Sequence, residues 1–175
     1  MRVVVCSDEL PPMPSAQVGA TIATAWAELG AQVALVCLGN ALEGFQSALA
    51  DLVAGAVEVW DDGTTVMTAA GDEGLIVAIR PEHVPAPEGL SPQASSSALG
   101  QIVRQVVDRV RRGGPVERII LELGDTTCHD GGAGLLGALG ATAEQPLDAG
   151  AEGLLGIADL DLAPARAWLQ QARLD

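Results

Sequence analysis

The sequence predicts an α/β protein of three layers, αβα, with a mostly parallel sheet and a short antiparallel portion. Three observations lead there. Runs of β-branched and aliphatic residues (RVVVCS, QVALVCL and RIILEL) read as strands, RVVVCS being of the kind buried on both faces of a parallel sheet. Segments of helical period alternate with them, and the links are short, which implies parallel strands joined by right-handed crossovers. The expected organisation is a β-α-β-α unit over 1–56, a short-strand segment with a proline-rich loop over 57–92, and a helix, a strand-turn-helix and a last helix over 93–175. Together these are expected to form one compact domain.

Taken in order, Arg2 to Ser7 is a strand that ends at Asp8. Ligands of open α/β sheets bind at that end of a strand, so Asp8 is a site candidate, with an N-cap or turn role as the alternative. Ser15 is expected to cap a helix reaching about Leu29, with Val18, Ile22, Ala25, Trp26 and Leu29 on its inner face and Gly30 as its stop. Gln32 to Leu38 is a second strand and Ala41 to Val53 a second helix. Short strands follow from Val57 to Ile79 around an Asp61-Asp62-Gly63 turn and supply the antiparallel portion. Arg80 to Gln93 holds four prolines and reads as a loop, in which His83 is a solvated histidine.

Ser95, Ser96 and Ser97 open an amphipathic helix with Leu99, Ile102, Val103, Val106, Val107 and Val110 inward, ended by Gly113-Gly114. Those serines cap the helix or hold an oxyanion. The most informative stretch is Leu121 to Gly140, LELGDTTCHDGGAGLLGALG, a strand that breaks into a polar turn and enters a small-residue helix near Asp130. Unpaired N–H groups and the positive end of the helix dipole make such a junction a seat for an anion. Gly131, Gly132 and Gly134 would let a ligand approach the backbone, whereas tight packing with Asp130 as a simple N-cap is the structural alternative. The glycine spacing fits neither a Walker motif nor a dinucleotide fingerprint. A last helix is expected from Leu162 to Leu174.

Composition narrows the partners. A net charge of −14 argues against nucleic acid and against anionic membrane surfaces. No uninterrupted apolar run is long enough to span a membrane, no signal peptide is read, and the cytoplasm is the expected location. All nine basic residues are arginines, so chemistry that needs a lysine ammonium is excluded, and a phosphate must be met by Arg or a metal. Cys6, Cys37 and Cys128 lack metal-ligand spacing and are expected as small buried thiols. No metal ligand set is legible, since the two histidines lie far apart. Trp26 and Trp168 are expected in the core.

The order of these motifs resembles the bacterial glycerate kinase family, which phosphorylates glycerate with ATP. The resemblance spans nearly the whole chain. Asp130, Gly131, Gly132, Ala133 and Gly134 match the family's Asp-Gly-Gly-Ala-Gly, and Gly124 matches the turn before it, with Thr126 standing for a Ser. Asp8 matches the Asp after the first strand, Glu43 and Gly44 match in the second unit, and Ser95 and Ser96 match a Ser/Thr pair. The departures are Asn40 for an Asp, Ala41 and Leu42 for a Gly pair, Phe45 for a Thr, Ala98 and Asp125 for Gly, Cys128 for a Thr and His129 for an Asn. Glu9, Leu10 and Pro11 stand where Ser-Phe-Lys is usual. The resemblance implies Asp8 and Asp130 as catalytic residues. It implies substrate or phosphate contacts at Asn40, Glu43, Gly44, Ser95, Ser96, Gly124, Thr126, Thr127, His129, Gly131 and Gly132. ATP and Mg²⁺ are the implied cofactors and a glycerate-like acid the small-molecule partner, with a homodimer as a further expectation. Family members are longer, with a C-terminal part that has no counterpart here. The departures fall on ligand-facing turns, which keeps open an alternative: a non-catalytic small-molecule-binding or interaction module that acts with a partner chain.

Overall fold

The structure, a computed structural model, describes residues 1–39, 44–81, 91–123 and 126–174. The fold is α/β, as its helices and mostly parallel strand pairs show. The chain divides into two compact units, Met1–Glu58 with Met67–Ala70, and Val59–Val66 with Gly71–Asp175.

In the first unit, strand β1 (Arg2–Ser7) pairs in parallel with β2 (Gln32–Cys37), bringing Val5 beside Leu35 and Ser7 beside Cys37. Helix α1 (Ser15–Glu28) crosses between them. Ser15 does not cap this helix. Pro14 occupies the cap position without a side-chain bond, and Ser15 is a buried first helical residue whose carbonyl accepts the Ser7 hydroxyl at 2.9 Å. The helix lies against the strands at Gly19, where a Cβ would fall 2.5 Å from Ser7 Oγ and closer still to Leu35. That contact turns the buried stripe toward Ser15 and Gly19. Ile22, Trp26 and Leu29, expected inward, are exposed, Leu29 to 75%. Cys6 is an exposed free thiol for a similar reason, since it alternates with buried Val5 and Ser7 on the strand.

Helix α2 (Phe45–Val53) starts after Gly44, whose φ of 77° is a left-handed conformation suited to glycine. Strands β3 (Ala56–Val59) and β4 (Thr65–Ala70) are neighbours in strand order. The link between them is too short for a crossover, so they run antiparallel.

The second unit contains the larger core. Strand β5 (Leu75–Arg80) pairs in parallel with β6 (Val116–Leu121), with Ile79 beside Leu121. Between them in sequence lies α3 (Ser97–Val110), and Leu99, Val103, Val106 and Val107 are buried as its period requires. Val103, Val106 and Val107 pack with Val77, Ile79, Val116, Leu139 and Ala165 in one cluster. A short helix α4 (Ala133–Ala138), an antiparallel pair β7 (Thr142–Ala143) and β8 (Leu160–Asp161), and helix α5 (Ala163–Leu174) complete the unit. Trp168 of α5 packs against the core, with the Arg104 guanidinium 5.8 Å above its ring. No helix among the described residues is long and apolar enough to cross a membrane.

Candidate functional site

The junction after β6 is built around one carboxylate. Glu122 prolongs the ladder, its N–H donating to the Ile79 carbonyl at 2.9 Å, and the chain then turns toward Asp130. Asp130 is 2% exposed. Its Oδ2 accepts the Ser96 N–H at 2.8 Å, the Ser96 hydroxyl at 2.9 Å and the Gly134 N–H at 3.0 Å, while Oδ1 accepts the Gly132 N–H at 3.0 Å. Ser96 Oγ in turn accepts the Leu135 N–H at 2.9 Å, and the Asp130 carbonyl accepts the Ala133 N–H at 3.0 Å. The Asp130 carboxylate and carbonyl and the Ser96 hydroxyl thus satisfy the helix-start donors of α4 and tie them to the start of α3.

Glycine makes this possible at two kinds of position. Gly131 and Gly132, at φ of 60° and 82°, turn the backbone so that the Gly132 N–H comes back to the carboxylate. Gly134 lets the helices touch, because a Cβ there would fall 2.6 Å from the Ser97 nitrogen and closer still to Ser95 Oγ. At Gly100 the same contact recurs, 2.6 Å from both the Ala138 Cβ and the Leu135 carbonyl.

The electrostatics follow from these bonds. Burial alone would raise the Asp130 pKa, but the hydrogen bonds from Ser96, Gly134 and Gly132 outweigh it and hold the carboxyl below its ordinary value. Burial, aided by the Asp130 charge, pushes the Cys128 thiol up. Burial also raises Glu122, against the pull of Arg80.

Of the residues singled out in the sequence, Ser96, Asp130 and Gly132 meet in this network. Ser95 adds a bond from the Ser97 N–H at 3.2 Å. Thr126 donates its hydroxyl to the Leu123 carbonyl, the Thr127 hydroxyl is buried without a partner among the described residues, His129 is exposed, and the space beside Gly131 is open. Asp8 and Gly44 belong to the first unit. Asp8 is exposed, and its Oδ1 accepts only the adjacent Glu9 N–H, at 2.8 Å, among the described residues. Gly44 borders a pocket of about 290 Å³ with Pro11, Ser15, Ser47 and Asp51. Asn40, Glu43, Gly124, Asp125 and His83 lie outside the described residues. A second pocket, of about 530 Å³, is bordered by Ser97, Gln101, Gly134, Thr142, Glu144 and Asp148 in the second unit. Among the described residues no group of three or more His, Cys, Asp or Glu side chains is placed to hold a metal.

Sequence reasoning passed over Glu122 and gave Arg80 no role beyond opening a loop. Glu122 is 6% exposed, and Arg80 Nε lies 3.9 Å from its Oε1. The available signal was an acidic residue inside the aliphatic run IILEL.

Comparison with known proteins places this geometry in context. The model of the "Glycerate kinase family" matches residues 3–175. The fold is similar to a crystal structure from Salmonella typhimurium LT2, provisionally assigned as glycerate kinase 2, with a TM-score of 0.60 and 22% sequence identity. The match covers 93% of this chain and 47% of that one, so the chain spans about half the length of that protein. None of the curated proteins matches.

Proposed function

The chain belongs to the glycerate kinase family, and from that premise we propose that it transfers a phosphoryl group from ATP to glycerate or a closely related hydroxy acid. The observation that carries this reading is the family match itself, which runs from residue 3 to residue 175 and takes in each motif discussed above. Mg-ATP, when bound, would supply the phosphoryl group and neutralise part of its charge. Magnesium is usually held by one or two carboxylates together with phosphates, and exposed Asp8 would be the carboxylate offered to it.

In this reading Asp8 is the exposed carboxylate available as base or metal ligand. Asp130 acts by position, joining the starts of α3 and α4 so that the turn from Thr126 to His129 is presented from a fixed frame. Ser95, Thr127, His129 and Gly131, with Asn40, Glu43, Gly44 and Gly124, are the remaining proposed contacts to substrate and phosphate. The test is turnover: purified protein with millimolar Mg-ATP and D-glycerate should form ADP and a phosphoglycerate. Absence of product at high enzyme concentration would reject the reading.

One observation favours a second reading, a binding module without transfer. The N–H groups from Gly132 to Leu135 are already donated to Asp130 and Ser96, so a phosphate arriving at α4 finds them engaged. This reading predicts a ligand-dependent rise in the melting temperature with no product, since a ligand at 100 times its Kd stabilises by about 2.7 kcal/mol.

A further inference from the structure

Arg80 is the last residue of β5, and Glu122 is the first beyond β6. The two strands are parallel neighbours, so both side chains leave from the C-terminal edge, the edge at which open α/β sheets take ligands. Glu122 is 6% exposed, and neither carboxylate oxygen has a hydrogen-bond donor among the described residues. Its ion-pair partner among the described residues is Arg80, whose side chain is 40% exposed. A buried carboxylate with so little support is a poor stabiliser, but it is an effective anchor for a cation that must stay near the surface in one place.

Four other arginines are placed differently. Arg104 lies over Trp168 and donates to the Ala138 carbonyl, Arg109 lies over Trp60 at 4.2 Å, and Arg111 pairs with Asp108. Arg118 sits within β6, opposite Ile76. The chain has no lysine, and a small acid approaching a protein of net charge −14 needs a local cation.

We propose that Arg80 binds the carboxylate of the acid substrate and that Glu122 is the positioning residue that holds it. The proposal rests on the phosphotransfer reading for the identity of the acid. A planar guanidinium suits a carboxylate because it can donate two parallel hydrogen bonds, which a lysine could not reproduce.

The test compares Arg80→Gln, Arg80→Lys, Glu122→Gln and Glu122→Asp with the parent chain, each first confirmed folded by its melting curve. Arg80→Gln should raise the KM for D-glycerate about 10- to 100-fold, the loss of a charged hydrogen-bonding pair, with the KM for ATP unchanged. Arg80→Lys should recover little of it. Glu122→Gln should raise the glycerate KM with kcat largely retained, and Glu122→Asp should restore part of the difference. A glycerate KM unchanged in Arg80→Gln, or an effect confined to ATP, would overturn the proposal while leaving phosphotransfer intact. If the parent chain shows no turnover, the phosphotransfer reading falls, and calorimetric titration decides separately. D-glycerate binding that Arg80→Gln abolishes, with no binding of glycerol, supports the carboxylate site. Glycerate binding that is absent in the parent, or equal in both proteins, rejects it.

Discussion

Asp8 and Asp130 are both carboxylates that follow a strand and precede a helix, yet among the described residues one is exposed with a single backbone donor and the other is buried with four donors. The residues that follow them make the difference. After Asp130 come Gly131 and Gly132, whose backbone can curl an N–H back to the carboxylate, and Gly134, whose missing side chain lets α3 bring Ser96 within reach. After Asp8 come Glu9, Leu10, Pro11 and Pro12; the prolines have no N–H to offer, and the turn they form closes on itself, Leu10 N–H to the Met13 carbonyl at 3.0 Å, rather than on Asp8. The same residue type becomes a structural fastener in one junction and an accessible group in the other.

The sharpest way to break this contrast is Asp130→Ala, which strands buried donors at the starts of two helices. We expect a loss of about 4 kcal/mol in unfolding free energy, measured by urea denaturation. Asp8→Asn should leave stability within about 0.5 kcal/mol, while the proposed phosphotransfer predicts that its turnover falls at least about 100-fold. Stability loss from Asp8→Asn equal to that from Asp130→Ala would erase the distinction.

Smaller changes sharpen it. Gly134→Ala should cost about 2 kcal/mol, because the new Cβ meets the Ser97 backbone. Gly131→Ala meets open space and should cost about 1 kcal/mol, the penalty of a left-handed conformation alone. Acidity provides the mildest probe. The folded-state pKa of Asp130 is lowered, so its contribution is present above the ordinary carboxylate range and is lost as pH falls through the folded value. The stability gap between the parent chain and Asp130→Asn should therefore narrow as pH falls below about 4. A gap that widens on acidification would show that the carboxylate is not held in its charged form.

How much of this was legible in the sequence depends on the reach of the interaction. β1 and the buried stripe of α3 follow from local periodicity, and the α/β class follows from the alternation of such segments. The capping role of Asp130 toward Gly132 and Gly134 was also legible as an alternative, because the partners are close in sequence. Its bond to Ser96 was not, since the partner lies 34 residues away and only tertiary packing selects it. The inner face of α1 was misread because hydrophobicity pointed to Ile22, Trp26 and Leu29, whereas the close approach is set at Gly19, where the absence of a side chain matters more than apolar character. Glu122 escaped notice because its place in an aliphatic run marks it as unusual, while its burial and its ion pair with Arg80 are set by tertiary packing.

The long sequence separation of the Ser96–Asp130 contact also bears on when it forms. The chain must close a loop of this length, with β6, α3 and α4 in place, before the contact gains anything, so the fastening belongs to the late part of folding. Mutations there should act chiefly by accelerating unfolding and should leave the refolding rate nearly unchanged. In the native state the Ser96, Gly132 and Gly134 amides should be among the slowest to exchange with deuterium in this unit, opening only when the two helix starts separate.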